Sequence, residues 1–151
     1  AYSPGGLLRE GMEHGAARKR QQEFGIRAET VNQAVQTLSG GNQQKVALAK
    51  CLETQPRVLL LNEPTRGVDV GAKQDIYELM SRWSAQGIAV LLITSEMPEL
   101  LALSDRIVVM HQGCITATLS GEEATPEKIL SAAMGNRESE KSVQELARHD
   151  K

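Results

Sequence analysis

The chain has 151 residues, 40% of them apolar and 24% charged, a balance that provides for one globular domain with a sizeable core. Aromatic residues make up only 3%, so that core must be aliphatic. Formal net charge is −2, from 17 basic against 19 acidic residues, which argues against a nucleic-acid surface; no apolar run approaches the roughly 18 residues that cross a bilayer.

Residues 1–15, with Gly5, Gly6, Gly11 and Gly15, show no sustained period and are expected to be loose. Arg18 to Phe24 has helix-forming composition, and Gly25 is placed to end that helix. The basic triplet Arg18-Lys19-Arg20 reads as a solvated helix face, with a phosphate-contacting patch as the sharper alternative. Ile26 to Thr37 leads onward through short turns. Asn42 to Thr54 has Val46, Ala49 and Leu52 spaced for one buried helix face, and Pro56 stops it. Val58 to Leu61 is uniformly apolar and reads as a central strand buried on both faces.

After a loop over 64–69, Ala72 to Ala85 predicts a second helix, with Ile76, Leu79, Met80 and Trp83 as its core stripe. Gln86-Gly87 closes it, and Ile88 to Thr94 predicts a second buried strand. Ser95 to Leu103 predicts a short helix that tolerates Pro98 near its start. Arg106–Met110 and Ile115–Leu119 predict a hairpin turning at Gln112-Gly113. Thr125-Pro126-Glu127 opens a last helix that runs to about Met134, and the residues beyond Gly135 form a charged tail or a marginal helix. Strands alternating with helices predict an α/β sheet. Cys51 and Cys114 stand apart, without Cys-x-x-Cys, and read as buried thiols of a reduced, cytoplasmic protein. His14, His111 and His149 lack metal-ligand spacing.

Two stretches carry chemistry. In Leu38-Ser39-Gly40-Gly41-Asn42-Gln43-Gln44-Lys45, small residues open a helix whose free N–H groups suit an anion. In Val58-Leu59-Leu60-Leu61-Asn62-Glu63-Pro64, an apolar strand ends in a polar pair at the carboxyl edge, where open parallel sheets bind ligands. An anion cradle followed within one helix by a strand tipped with a carboxylate points to nucleoside-triphosphate chemistry. A Glu there can orient or deprotonate an attacking water; the blander readings are a solvated Glu and a plain glycine-rich helix cap.

LSGG before a helix, then an apolar run ending in N-E-P-T, resembles the ATP-binding cassette (ABC) ATPases. The longer wording, LSGGNQQK with NEPTRGVDVGAK and ITSEMPELLALSDRIVVMHQG, is similar to the second cassette of the tandem ATPases that power simple-sugar importers, over residues 36 to 135. The resemblance implies a parallel sheet of the P-loop nucleotide-hydrolase kind flanked by helices. It implies ATP and Mg²⁺ as ligands, Glu63 as the catalytic carboxylate and Ser39, Gly40 and Gly41 as the signature loop acting on ATP held by an opposite cassette. Gln43 would help to position that phosphate or the ribose, and Asp69 would lie in the loop that crosses the cassette dimer.

The sequence departs from the family at Asn62, where Asp is usual, so support for magnesium is expected to be weaker. It departs again at Ser95, where many cassettes have His; Ser95 still donates a hydrogen bond, and the departure fits the sugar-importer subgroup. No G-x-x-x-x-G-K-[S/T] (Walker A) loop is present, which, with the missing initiator Met, leads to the expectation of the C-terminal part of a longer ATPase. The implied division is 1–37 as a flexible segment with a remnant of the helical subdomain, 38–135 as the cassette part and 136–151 as the tail.

The implied partners are a second cassette, transmembrane permease subunits and, indirectly, a periplasmic sugar-binding protein, with the chain peripheral on the inner face of the cell membrane. The rival expectations are a non-catalytic half that completes a partner's site, and a cassette protein of DNA repair or translation.

Overall fold

The computed structural model describes residues 10–136, in two compact units that divide between Ile93 and Thr94. The expectations for 1–9 and for the tail over 137–151 lie outside the described residues.

In the first unit, helix α1 (Glu10–Glu23) begins earlier than its glycines suggested. Ala, Arg, Lys, Gln and Glu supply enough helix propensity to carry Gly11 and Gly15. Gly25, at φ +57°, ends it: Gly25 N–H donates to the Gln22 carbonyl and Ile26 N–H to the Gln21 carbonyl. A 3-10 turn (Val35–Thr37) leads to helix α2 (Gly40–Leu52), strand β1 (Val58–Asn62), helix α3 (Val70–Ala85) and strand β2 (Ala89–Ile93). β1 and β2 pair in parallel, Val58 opposite Ala89 through Asn62 opposite Ile93, with α3 as the crossover. The apolar stripe of α3 behaves as expected: Ile76, Leu79, Met80 and Trp83 are all buried. Trp83 meets Phe24 with ring centroids 5.9 Å apart.

The strands depart from expectation. β1 alternates, with Leu59 and Leu61 buried while Val58 and Leu60 are 63% and 64% exposed. On β2, Leu91 and Ile93 are exposed as well. A run that reads as buried on both faces is covered on one only among the described residues, and Val58, Leu60, Leu91 and Ile93 share the open face.

The second unit holds helix α4 (Met97–Leu103), the antiparallel strands β3 (Arg106–His111) and β4 (Cys114–Ser120), and helix α5 (Pro126–Ala133). The turn between β3 and β4 is the expected two-residue one, with φ +48° at Gln112 and +78° at Gly113, the signs that a primed turn requires. An irregularity after Val109 leaves Thr116 as the extra residue, its hydroxyl donating to the Val109 carbonyl at 3.3 Å. Ile107, Val109, Ala117, Leu119, Ile129 and Ala132 form its core. Both cysteines are exposed, against the expected buried thiols. Cys51 lies off the buried stripe of α2, and Cys114 flanks the hairpin turn.

Candidate functional site

Two loops of the first unit converge. Ser39 is the N-cap of α2, in an extended conformation, and it and Gly40 are exposed. Ser39 Oγ does not cap the helix. It accepts from the Asn42 side-chain amide at 2.8 Å, while Asn42 Oδ1 accepts from the Arg27 N–H at 2.9 Å. Gln43 Nε2 donates to the Leu38 carbonyl at 2.8 Å and so braces the turn that enters the helix. The turn that enters α2 is thus held in shape by side-chain amides.

The second loop follows β1. Glu63 N–H donates to the Ile93 carbonyl at 2.7 Å, continuing the sheet one residue past Asn62, and the Glu63 carbonyl accepts from Arg66 N–H at 3.2 Å. Between those two bonds Glu63 is held at φ +47°, a left-handed conformation that disfavours a non-glycine residue. Its side chain is half-buried, followed by Pro64 and Thr65, both fully buried. Asn62 is exposed at the carboxyl end of β1. Asp69 is the N-cap of α3, with Oδ1 accepting from Ala72 N–H at 2.9 Å.

The loops meet at the glycines. A Cβ on Gly41 would lie 2.5 Å from Ala72 Cβ and 3.7 Å from Asp69 Oδ2, and one on Gly40 would lie 3.7 Å from the Gly67 carbonyl oxygen. Gly41 is therefore a packing requirement. Ser39, Gly40 and Gly41 are brought together with Asp69, while Glu63 and Asn62 stand at the strand end from which the Asp69 loop departs. Ser95 is exposed in the bend after β2 and belongs to the second unit, where Thr94 Oγ1 accepts from Glu96 N–H at 3.1 Å.

Among the described residues no group of three His, Cys, Asp or Glu side chains is arranged for a metal ion. Asn62 offers one neutral oxygen, so this chain's described residues do not fit a complete magnesium site. The basic triplet of α1 follows the solvated-face reading at two of its three positions. Arg18 and Lys19 are solvated, whereas Arg20 bonds Glu53 at 2.8 Å and Glu23 at 2.7 Å. The Glu53 contact first, and Glu23 after it, hold the Arg20 guanidinium above its ordinary pKa.

One residue escaped the sequence reading. Lys45 is 4% exposed; its Nζ donates to Asp75 Oδ2 at 2.5 Å and to the Gly25 carbonyl at 3.3 Å. Its spacing carried the signal, since 41, 45, 48, 49 and 52 form the buried stripe of α2, and a lysine stands in the second place.

The profile of the ABC transporter family matches residues 9–66. Over 130 residues, 86% of this chain, the sequence is 50% identical to a ribose import ATP-binding protein of Caldanaerobacter subterraneus subsp. tengcongensis. The chain spans about a quarter of that relative's length, 26%. Among solved structures, a nucleotide-free ATP-binding cassette from an ABC transporter superposes with TM-score 0.71 at 27% identity, over 86% of this chain and 50% of that one. The ADP conformation of an ABC transporter cassette gives 0.69 at 26% identity, over 85% of this chain and 52% of that one. A bacterial ABC transporter cassette solved as a dimer shares the fold, with TM-score 0.67 at 22% identity, over 78% of this chain and 50% of that one.

Proposed function

The chain belongs to the ABC transporter ATPase family, and from that premise we propose that it is the C-terminal part, over residues 38–135, of a cassette that binds and hydrolyses ATP to drive import of a simple sugar such as ribose. The observation that carries this reading is the packing of Ser39-Gly40-Gly41 against the Asp69 loop, with Glu63 at the strand end where that loop begins.

In this reading the first-turn N–H groups of α2 and the Ser39 hydroxyl receive the γ-phosphate of ATP held by a second cassette. Glu63 orients the attacking water and takes its proton. Its backbone is fixed by the sheet on one side and by a turn on the other, which suits a carboxylate that must act from one position. Gln43 holds the signature turn in shape through Leu38 rather than reaching outward. Asp69 fixes the start of α3 at the edge facing the second cassette. Ser95 donates a hydrogen bond near the phosphate.

Mg²⁺ would be held chiefly by the nucleotide phosphates and by groups outside this chain, with Asn62 as a neutral, weak contributor. The magnesium supplies charge neutralisation when bound. Among the described residues no helix is long and apolar enough to cross a membrane. In this reading coupling to transport runs through transmembrane permease subunits, with the chain peripheral on the inner face of the membrane and the sugar-binding protein reached indirectly. The net charge of −2 does not favour nucleic acid, DNA-repair or ribosomal roles.

The neutral Asn62 favours one second reading, a half that completes its partner's site through the signature loop without hydrolysing ATP itself. The test is ATP turnover by the full-length protein. Glu63→Gln is expected to lower kcat by about a hundredfold or more, the usual contribution of general-base catalysis. Unchanged turnover in Glu63→Gln, with loss in Ser39→Arg, would replace the catalytic reading with the second one.

A further inference from the structure

We propose that Lys45 is a positioning residue for ATP hydrolysis, fixing the signature-loop helix α2 against the Asp69-bearing helix α3. The inference rests on the functional reading above.

Lys45 lies one turn beyond Gly41 on α2, and Asp75 lies one turn beyond Ala72 on α3. The pairs 41–72 and 45–75 are thus two contacts in the same order along two neighbouring helices. One contact sets a distance only; two set the distance and the rotation of α2 about its own axis. The first is a van der Waals wall, a glycine against Ala72 Cβ with no room for a methyl group. The second is an ammonium whose side chain is 5% exposed, held by a carboxylate that is 52% exposed. The third anchor, the Gly25 carbonyl, belongs to the left-handed residue that ends α1, so three helices are referred to one nitrogen.

A buried ammonium is a poor way to gain stability. An apolar residue of similar volume packs as well without the cost of desolvating a strongly hydrated charge. What the ammonium adds is direction: it must meet its acceptors, so rotation of α2 that would leave them is penalised far more than for an apolar contact. The rotation so fixed is the one that aims the Ser39, Gly40 and Gly41 end of α2 relative to Asp69. These groups act only when the two cassettes close on ATP, so an error in aim appears in the chemical step and not in capture of the nucleotide.

The test uses the full-length protein, with kcat and KM for ATP measured separately and the folded fraction checked by thermal unfolding. Lys45→Met is expected to lower kcat about tenfold or more, with KM within about threefold of the parent; Lys45→Arg, which keeps a buried donor, recovers most of the loss. If Lys45→Met does not fold, Asp75→Asn removes the acceptor's charge at a half-exposed position and should lower kcat about threefold or more, again with little change in KM. An unchanged kcat in Lys45→Met, or in Asp75→Asn where that variant substitutes, overturns the proposal. So does a loss that Lys45→Arg fails to recover and that tracks the folded fraction. Glu63→Gln, run alongside, separates the two failures. If it abolishes turnover while Lys45→Met is normal, only the positioning role falls; if it changes nothing, the catalytic reading falls.

Discussion

Gly41→Ala tests whether the signature loop and the Asp69 loop form one packed body. The added Cβ would stand 2.5 Å from Ala72 Cβ. Carbon atoms pack best at about 3.5–4.0 Å, so about 1 Å must open between α2 and α3. Neither side offers a flexible end, because both atoms are Cβ carbons fixed to helical backbone. Ala72 is further held by its N–H bond to Asp69 Oδ1. Overpacking of this kind costs about 1–3 kcal/mol. The compensating change is Ala72→Gly, which alone costs about 0.5–1 kcal/mol through helix propensity. In the double variant the methyl group has only changed sides, and its stability should sit near that of Ala72→Gly alone. The coupling energy is then about 1–3 kcal/mol in favour of the pair, the whole overpacking cost of Gly41→Ala. The assay is denaturant unfolding of the chain, followed by ATP turnover in the full-length protein. An unchanged midpoint for Gly41→Ala, or a double variant no better than the sum of the singles, would mean that the helices separate at no cost and that the glycine is required only by the nucleotide.

The open face of the β1–β2 pair predicts that the isolated chain self-associates, because Val58, Leu60, Leu91 and Ile93 lie together in solvent beside unblunted strand edges. Leu60→Lys should lower the associated fraction in sedimentation velocity, and equal association in both proteins would point to another surface. In the second unit, Glu123 and Glu127 titrate below their ordinary 4.5. The Ser120 hydroxyl donating at 2.7 Å is the main cause for Glu123, and the Glu127 N–H at the start of α5, with the Thr125 hydroxyl after it, for Glu127. A carboxyl lowered in the folded state stabilises above its unfolded pKa, and that contribution disappears as pH falls through the folded value. Stability of this unit should therefore decline below about pH 4.5, as acid unfolding followed by circular dichroism would show. Ser120→Ala should return the Glu123 titration, followed by NMR, towards 4.5, and an unmoved titration would refute the assignment.

The elements were largely legible where one physical cause dominates. The stripe at Ile76, Leu79, Met80 and Trp83, the left-handed Gly25 and the Gln112-Gly113 turn each follow from local geometry, and the structure has them as read. Burial of the strands was not legible, because an apolar run such as Val58 to Leu61 states what its faces would accept and not what covers them. The partners of the site were hidden for a related reason. Nothing local to Lys45 says that a carboxylate thirty positions on will meet its ammonium, or that Gly41 must admit Ala72. Spacing places a residue on a face; only the crossing of two helices supplies its neighbour. The helix over 10–15 was missed because two glycines weighed more in a short window than they do across the fourteen residues of α1.

The site residues divide by how they are held. Ser39, Gly40, Gly41, Lys45 and Asp69 are bound up with the α2–α3 contact through a steric wall, an ion pair and a helix cap, three interactions with different distance and angle requirements. Changes there disturb packing and aim together. Glu63 stands outside that contact, at a strand end and in a backbone conformation that glycine would adopt more readily. Strain at such a position costs of order 1–3 kcal/mol and survives only because the sheet bond to Ile93 and the turn to Arg66 override it. A residue chosen for stability alone would not be Glu there. The left-handed backbone turns the chain out of the sheet directly after Asn62, so the carboxylate leaves the strand at its carboxyl edge. The Ser39-Gly40-Gly41 end of α2, set by helix packing, and the half-buried carboxylate of Glu63, set by a strained hinge, are thus positioned by separate parts of the fold.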